Sequence, residues 1–237
     1  ARIIGRKGGW RWATREQIVR PSPQRVEPRC PVFGLCGGCS WQSLAYPSQL
    51  ELLETRVRGL LAAAGVEAPE DAWHGIIGSE AIFHYRGKIE LTFGGEPGAI
   101  QLGFNRRGRY WEIVDLHECH IGPPVNAALV ERVRRWACAR GHAPYRQRGH
   151  EGFLRYLVVR QQQTVSPQRW LAALVTTTPP EGDWGRDELV ASLAEVEPSG
   201  SLLWVRNDAT SQAVRVEACE TLLGDGRLVE RLGEVDY

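Results

Sequence analysis

The pattern of hydrophobic and polar residues divides the chain into strand-like and helix-like segments. Strand patterns run through most of the chain and are separated by glycine-rich turns. They cover residues 84–93, 99–105, 110–115, 153–160, 169–178, 201–207, 212–216 and 227–233. The first three follow one another closely, so we expect an antiparallel meander in that part of the chain.

Three other segments have the 3.6-residue period of amphipathic helices. The first begins at Ser48, which fits a capping box with Glu51, and ends at Gly65. Its apolar residues share one face and predict a helix that packs: Leu50, Leu53, Val57, Leu60 and Leu61. The other two segments cover residues 123–141 and 186–196. Helices among mostly antiparallel strands predict an α+β fold built on an antiparallel sheet.

The first 28 residues form a segment of their own. Short strand patterns end at "PSPQRVEP", whose three prolines mark a linker. Since 28 residues are too few for a barrel, we interpret residues 1–28 as the last strands of a small β-barrel. Residues 29–237 are then a central domain that follows it.

Composition indicates an ordinary globular protein, whereas the distribution of charge is uneven. With 43% hydrophobic residues, no apolar run of about 20 residues and no signal peptide, we expect a cytoplasmic monomer that binds no membrane. The net charge is +1, but residues 132–160 hold eight arginines against one glutamate. Residues 181–237 hold thirteen acidic and five basic side chains. This segregation predicts an anionic partner for the first two-thirds of the chain.

Three of the six cysteines lie within ten residues, in "RCPVFGLCGGCSWQ". A cytoplasmic setting argues against structural disulfides, so the spacing C-x5-C-x2-C of Cys30, Cys36 and Cys39 indicates a loop of metal ligands. Close thiolates repel one another, and a metal or cluster removes that repulsion. The glycines let the backbone turn around an inorganic group and leave N–H groups free to face sulfur.

The fourth ligand is predicted to be Cys119, in the turn "DLHECHIGPP". Three ligands from one loop and one from a distant position suit a [4Fe-4S] cluster better than the paired knuckles typical of zinc. His117 and His120 flank Cys119, so a zinc site with three cysteines and one histidine stays open as the alternative. We interpret Cys138 and Cys219 as structural.

Several motifs resemble the iron–sulfur RNA (uracil-5-)-methyltransferases of the bacterial 23S rRNA type. They are "RVEPRCPVFGLCGGCSWQSLAY", "YRGKIELTFG", "LGFNRRGRYWEIVDLHECHI" and "GFLRYLVVR", in that order along the chain. The resemblance implies a TRAM barrel that ends in residues 1–28, a central domain with a [4Fe-4S] cluster on the four cysteines named above, and methylation of uridine C5 in 23S rRNA. It also implies S-adenosylmethionine as methyl donor, bound by a separate Rossmann-like domain.

The chain departs from that family after "LVERLGEVDY", where the catalytic domain is expected to begin. In the family a cysteine attacks C6 of uracil, and a carboxylate removes the C5 proton after methyl transfer. Neither role can be assigned to a residue here. We therefore expect this chain to supply the cluster and the RNA-recognition part, and to be inactive alone.

Basic and aromatic residues interleave at one strand start and one hairpin tip, as single-stranded RNA binding requires. The candidate RNA contacts are Tyr85, Arg86, Lys88, Arg106, Arg107 and Arg109, with Arg155 and Arg160 expected on the exposed face of one strand. The alternative for the hairpin is an ordinary solvated surface. Of the 29 cationic residues 27 are arginine, which a GC-rich or thermophilic genome would also explain.

Two other functions compete with RNA methylation. One is a non-catalytic RNA-binding module that carries a cluster, and the other is a redox or iron-sensing protein. A tRNA substrate in place of rRNA also stays open.

Overall fold

The computed structural model describes residues 1–211 and 215–237, which divide into two compact units. The smaller unit comprises residues 1–28 and 41–78, and the larger comprises residues 29–40 and 79–237. The predicted strand at 212–216 falls largely outside the described residues. The assignment of residues 1–28 to a barrel stays a prediction.

The smaller unit contains one hairpin and one long helix. Strands β1 (Arg2–Lys7) and β2 (Trp10–Thr14) pair antiparallel across a turn at Gly8 and Gly9, both of which have positive φ. Helix α1 spans Tyr46–Ala63, and a single 3-10 turn follows at Glu70–Ala72.

Helix α1 differs from its prediction at the start and along its face. It begins two residues before Ser48, with Pro47 in its first turn, and Ala45 provides no side-chain cap. Proline suits a first turn because the N–H it lacks would be unbonded there, so the chain starts its helix upstream of the predicted capping box. Leu53, Val57 and Leu60 are 39%, 48% and 61% exposed. The predicted packing face is therefore largely open.

The larger unit is built on one mixed, seven-stranded sheet. Its strands are β3 (Lys88–Glu96), β4 (Ala99–Arg106), β5 (Arg109–Asp115), β6 (Leu154–Gln161), β7 (Trp170–Thr176), β8 (Gly200–Arg206) and β9 (Ala218–Leu223), in the order β5-β4-β3-β6-β7-β8-β9. All neighbours pair antiparallel except β7 and β8. The predicted α+β class and the β3-β4-β5 meander are confirmed. From the predicted strand 227–233, only β10 (Arg231–Leu232) forms, paired with β11 (Val235–Asp236).

Two helices cover one face of this sheet. They are α2 (Asn126–Ala139) and α3 (Arg186–Ala194), and α3 makes the crossover between the parallel strands β7 and β8. The buried residues of both helices join the core side of the sheet, where Ile89, Leu91 and Phe93 alternate along β3. In the part of the chain that the structure describes, none of the helices is long and apolar enough to span a bilayer.

Candidate functional site

The cysteine loop, residues 29–40, is a series of tight turns bonded to the β4–β5 hairpin. Within the loop, the Phe33 N–H donates to the Cys30 carbonyl at 3.0 Å, and the Cys36 N–H to the Val32 carbonyl at 3.0 Å. The Gly37 N–H donates to the Asn105 carbonyl at 3.0 Å. A Cβ on Gly37 would lie 3.0 Å from that same carbonyl oxygen, so a glycine allows this close approach of loop and hairpin.

Cys119 is held in place by a buried side chain in α2. The Cys119 N–H donates to Asn126 Oδ1 at 2.8 Å, and Asn126 Nδ2 donates to the Cys119 carbonyl at 3.1 Å. Asn126 is fully buried, and its Nδ2 also donates to the Pro123 carbonyl at 2.6 Å. These bonds fix the backbone of Cys119 at the end of the turn after β5. Sequence reasoning did not single out Asn126.

The structure brings the four predicted ligand thiols into electrostatic range of one another. Burial raises the pKa of the Cys36 thiol, and the neighbouring charges of Cys39, Cys119 and Cys30 raise it further. Burial likewise raises the pKa of Cys119, with Cys39 and Cys30 adding to the effect. The thiols of Cys36 and Cys119 therefore hold their protons more tightly than usual, and a bound cation would reverse that preference.

Backbone N–H groups point at three of these sulfur atoms. Burial raises the pKa of each of the three thiols overall, and these hydrogen bonds offset part of the rise. The Gly38 N–H donates to Cys36 Sγ at 3.4 Å. The backbone N–H groups of Val32 and Phe33 lower the pKa of Cys30, and those of Ile121 and Gly122 lower the pKa of Cys119. Donors of this kind stabilise thiolates and tune a bound metal, so the chemistry of the loop suits an inorganic group.

The spacing of possible ligands argues against one ion shared by the cysteines. A zinc ion with bonds of about 2.3 Å to sulfur holds its ligand atoms within roughly 4 Å of each other. Among the described residues, the one group of three or more such side chains with ligand atoms within 4.8 Å is His84, Glu118 and His120, and it contains no cysteine. The thiols are therefore more widely spaced than the ligands of a single zinc ion.

The two cysteines interpreted as structural lie apart from this loop. Cys138 is half-buried on α2 against the core, and its Sγ accepts the Ile100 N–H at 3.4 Å. Cys219 is exposed on β9.

The candidate RNA contacts lie in two groups. Tyr85, Arg86 and Lys88 are exposed at the start of β3, where Lys88 is paired across the sheet with Arg160 of β6. Arg106, Arg107 and Arg109 lie on the β4–β5 hairpin. There, Arg106 and Arg109 both bind the single carboxylate of Glu112, at 3.1 and 2.9 Å. The ion pairs with Arg109 and Arg106 help to keep the pKa of Glu112 below its usual value.

Arg155 does not lie on an exposed face with Arg160, so that expectation is wrong. Arg155 is 2% exposed, and its guanidinium donates to the carbonyls of Asn207, Ala209 and Ser211 at 2.6–2.8 Å. Five positions separate the two arginines, and the β6–β7 register shifts between Leu154 and Tyr156. The register shift lies at Arg155 itself, and the carbonyls of the segment 207–211 cover its side chain, whereas that of Arg160 is exposed.

Arg107 contacts the cysteine loop. Its guanidinium donates to the Cys39 carbonyl and, at 3.2 Å, to Ser40 Oγ, while its N–H donates to the Leu35 carbonyl at 2.8 Å. This side chain thus ties the hairpin to the loop that carries three thiols.

Replacing Arg107 with alanine should loosen the cysteine loop. Loss of the two hydrogen bonds from this charged, exposed donor should lower the local opening free energy by about 1 kcal/mol, or about fivefold in the opening constant. Hydrogen exchange at the Gly37 amide measures this opening. Arg109→Ala, two positions along the same hairpin, is the control and should leave the exchange rate unchanged. Equal rates in wild type and Arg107→Ala would contradict this role.

Comparison with known proteins relates the chain to RNA methyltransferases. No model of a known protein family matches it. An RNA methyltransferase of Caldanaerobacter subterraneus subsp. tengcongensis is 34% identical over 220 residues, which are 91% of this chain and 48% of the relative. A tRNA (uracil(54)-C(5))-methyltransferase of Pyrococcus horikoshii is 38% identical over 149 residues, which are 63% of this chain and 33% of the relative.

A solved structure extends the similarity to the fold. The crystal structure of Pyrococcus abyssi tRNA (uracil-54, C5)-methyltransferase, in complex with S-adenosyl-L-homocysteine, matches with a TM-score of 0.71 and 26% identity. The match covers 100% of this chain and 50% of that one. The chain spans about half the length of the first of the curated relatives it matches. These findings support a relation to the RNA uracil-C5 methyltransferases.

Proposed function

We propose that this chain is the metal-binding and RNA-recognition part of an S-adenosylmethionine-dependent RNA methyltransferase that modifies C5 of uridine. The similarity to RNA methyltransferases over 91% of the chain carries this proposal. The structural match to an enzyme crystallised with S-adenosyl-L-homocysteine supports the methyl donor.

The [4Fe-4S] cluster is part of the proposal, with Cys30, Cys36, Cys39 and Cys119 as its ligands. Its support is the mutual electrostatic effect of the thiols and the N–H groups aimed at three of them. When bound, the cluster supplies positive charge that keeps the four thiols deprotonated. The chain's own residues hold the loop against the hairpin, and Asn126 fixes the last ligand. We assign the cluster a structural role, since it would link a polar loop to the sheet.

The RNA substrate was predicted to be 23S rRNA, and tRNA gains support from relatives named for uracil-54 of tRNA. We keep rRNA as the proposed class, with tRNA as the alternative. Exposed cations at the start of β3 and on the hairpin are the proposed contacts: Arg86, Lys88, Arg106, Arg109 and Arg160. A non-catalytic module is not favoured, because the relatives are methyltransferases.

Methyl transfer to RNA tests the function directly. The protein to test contains this chain together with a segment equivalent to the half of the relatives that the chain does not match. Given S-adenosylmethionine and RNA, it should convert uridine to 5-methyluridine. Parallel reactions with 23S rRNA fragments and with tRNA transcripts, read by mass spectrometry, would identify the substrate. Absence of 5-methyluridine in both RNAs would refute the proposal.

The 237-residue chain by itself is expected to bind RNA and transfer no methyl group. Its two cysteines outside the loop are poor candidates for the nucleophile. Cys138 packs against the core, and Cys219 lies on β9, away from the candidate RNA contacts in sequence and in strand order. Incorporation of labelled methyl by this chain would show that a catalytic site lies within it.

A further inference from the structure

An open groove lies on the sheet face opposite the helices, beside the cysteine loop's hairpin. Its volume is about 1020 Å³, and it extends from strands β3–β5 to the segment 145–148 before β6. Thr92 and Gln101, which line it, alternate along their strands with the core residues Phe93 and Leu102. Small-molecule pockets typically have volumes of roughly 300–1,000 Å³, so this groove is at the upper limit of that range. The groove is also open to solvent rather than enclosed.

Two adjacent aromatic side chains stand exposed at the edge of the groove. Tyr110 is 70% exposed and Trp111 is 67% exposed, and their rings meet edge to face with centroids 5.2 Å apart. The β4–β5 register passes from the pair Asn105–Ile113 to Arg106–Arg109, so residues 110–112 are left out of the ladder register with β4. Such a bulge redirects side chains. Here it presents two large rings to the groove instead of to opposite faces.

The groove carries more positive than negative charge. Four arginines line it against two glutamates. Arg106 is paired with Glu112 at 3.1 Å and Arg146 with Glu96 at 2.5 Å. Arg148 is exposed and has no ion-pair partner among residues 1–211 and 215–237. Guanidinium groups that are partly or wholly unneutralised favour an anionic ligand.

Residues 145–148 form one wall of the groove, and buried Arg155 packs against the first of them. The guanidinium carbon of buried Arg155 lies 4.1 Å from the centroid of the Tyr145 ring, and the Tyr145 hydroxyl contacts His150 Nδ1 at 3.0 Å. Because Arg155 is itself fixed by three carbonyls, Tyr145 is positioned before any ligand arrives. The segment 145–148 is thus anchored at Tyr145 without a ligand.

We propose that the groove binds a short single-stranded RNA segment, with bases stacked on Trp111 and Tyr110 and phosphates on Arg146 and Arg148. Stacking requires unpaired bases, because a duplex keeps its bases stacked on one another. Aromatic planes beside arginines are the combination that single-stranded nucleic acids need. The inference rests on the proposed function for RNA as partner. It adds the segment 145–148 and the two rings as the place where the strand lies.

Binding of a fluorescent uridine-rich 10-nucleotide RNA to the 237-residue chain tests the groove. Trp111→Ala should weaken binding about tenfold or more, and Trp111→Phe should restore most of the affinity, since a stacking plane remains. The double change Arg146→Ala, Arg148→Ala should reduce the slope of log affinity against log salt by about 0.7 for each phosphate that is no longer bound. Arg186→Ala and Arg227→Ala, in the acidic part of the chain, are the controls and should bind like wild type.

The possible results distinguish failure of the groove proposal from failure of the methyltransferase proposal. If the chain binds the RNA and the groove variants match wild type in affinity and salt slope, the groove is not the site, although the methyltransferase proposal stands. If a duplex of the same sequence or a poly-glutamate peptide binds as well and responds to the same changes, the single-strand assignment is wrong. If the groove variants weaken RNA binding but the methylation assay yields no 5-methyluridine, the methyltransferase proposal is wrong and the groove proposal stands. Circular dichroism of each variant checks that it folds.

Discussion

Arg155→Leu should cost about 3–5 kcal/mol of unfolding free energy, a large share of the roughly 5–15 kcal/mol typical of a folded domain. The guanidinium is 2% exposed and satisfies the carbonyls of Asn207, Ala209 and Ser211. Leucine has no donor, so three carbonyls would lose their partner at once. Urea unfolding followed by tryptophan fluorescence measures the loss as a lower midpoint.

Arg160→Leu is the matched control for this change. It makes the same substitution five residues along the same strand, but Arg160 is exposed, so its effect should stay within about 0.5 kcal/mol. Arg155→Lys should recover little stability, because a single ammonium group lacks the planar fork that reaches separate carbonyls. Equal losses in Arg155→Leu and Arg160→Leu would contradict the structural role of Arg155.

Cys119→Ser should remove the proposed cluster, whereas Cys138→Ser should keep it. Anaerobically purified wild-type chain is expected to be brown, with iron and sulfide near about four each per chain. Serine at position 119 keeps the backbone bonds to Asn126 but offers no thiolate, so the loss of iron would report on ligation. Iron and sulfide analysis with visible absorption measures both variants.

Two results would count against the cluster. A colourless wild-type protein with one tightly held zinc ion per chain would support the zinc alternative. Equal iron content in wild type and Cys119→Ser would show that the fourth ligand lies elsewhere. Cys138 is the suitable control because it is a half-buried cysteine outside the predicted ligand set. Its sulfur accepts the Ile100 N–H and packs against the core.

Strands of the larger sheet were predictable where one face is buried. Ile89, Leu91 and Phe93 occupy every second position of β3, which identifies both the strand and its core face. The parallel pairing of β7 with β8 was not predictable, since it depends on the α3 crossover and on register between distant segments. The start of α1 was misjudged because Ser48 looked like a cap, although Pro47 already suited a first turn.

The cysteine loop could be located from the sequence more readily than the contacts that support it, and the ligand role of its thiols stays a prediction. The spacing of Cys30, Cys36 and Cys39 identified the loop from local sequence alone. The bonds of Asn126 and Arg107 to the backbone around the cysteines could not be predicted, because they reach residues 7 and 68 positions away. The exposure of Arg155 was mispredicted because the register shift between Leu154 and Tyr156 and the distant carbonyls that its guanidinium binds leave no mark on the local pattern.

The wide separation of the thiols along the chain sets an order of assembly during synthesis. Cys119 follows Cys39 by 80 positions, so at about 5–20 residues per second the ribosome delivers the fourth thiol roughly 4–16 s after the third. The whole β3-β4-β5 meander, which receives the loop, is made in that interval. Three thiols of the proposed site are thus made before the fourth, and they would stay open to oxidation until residue 119 has emerged.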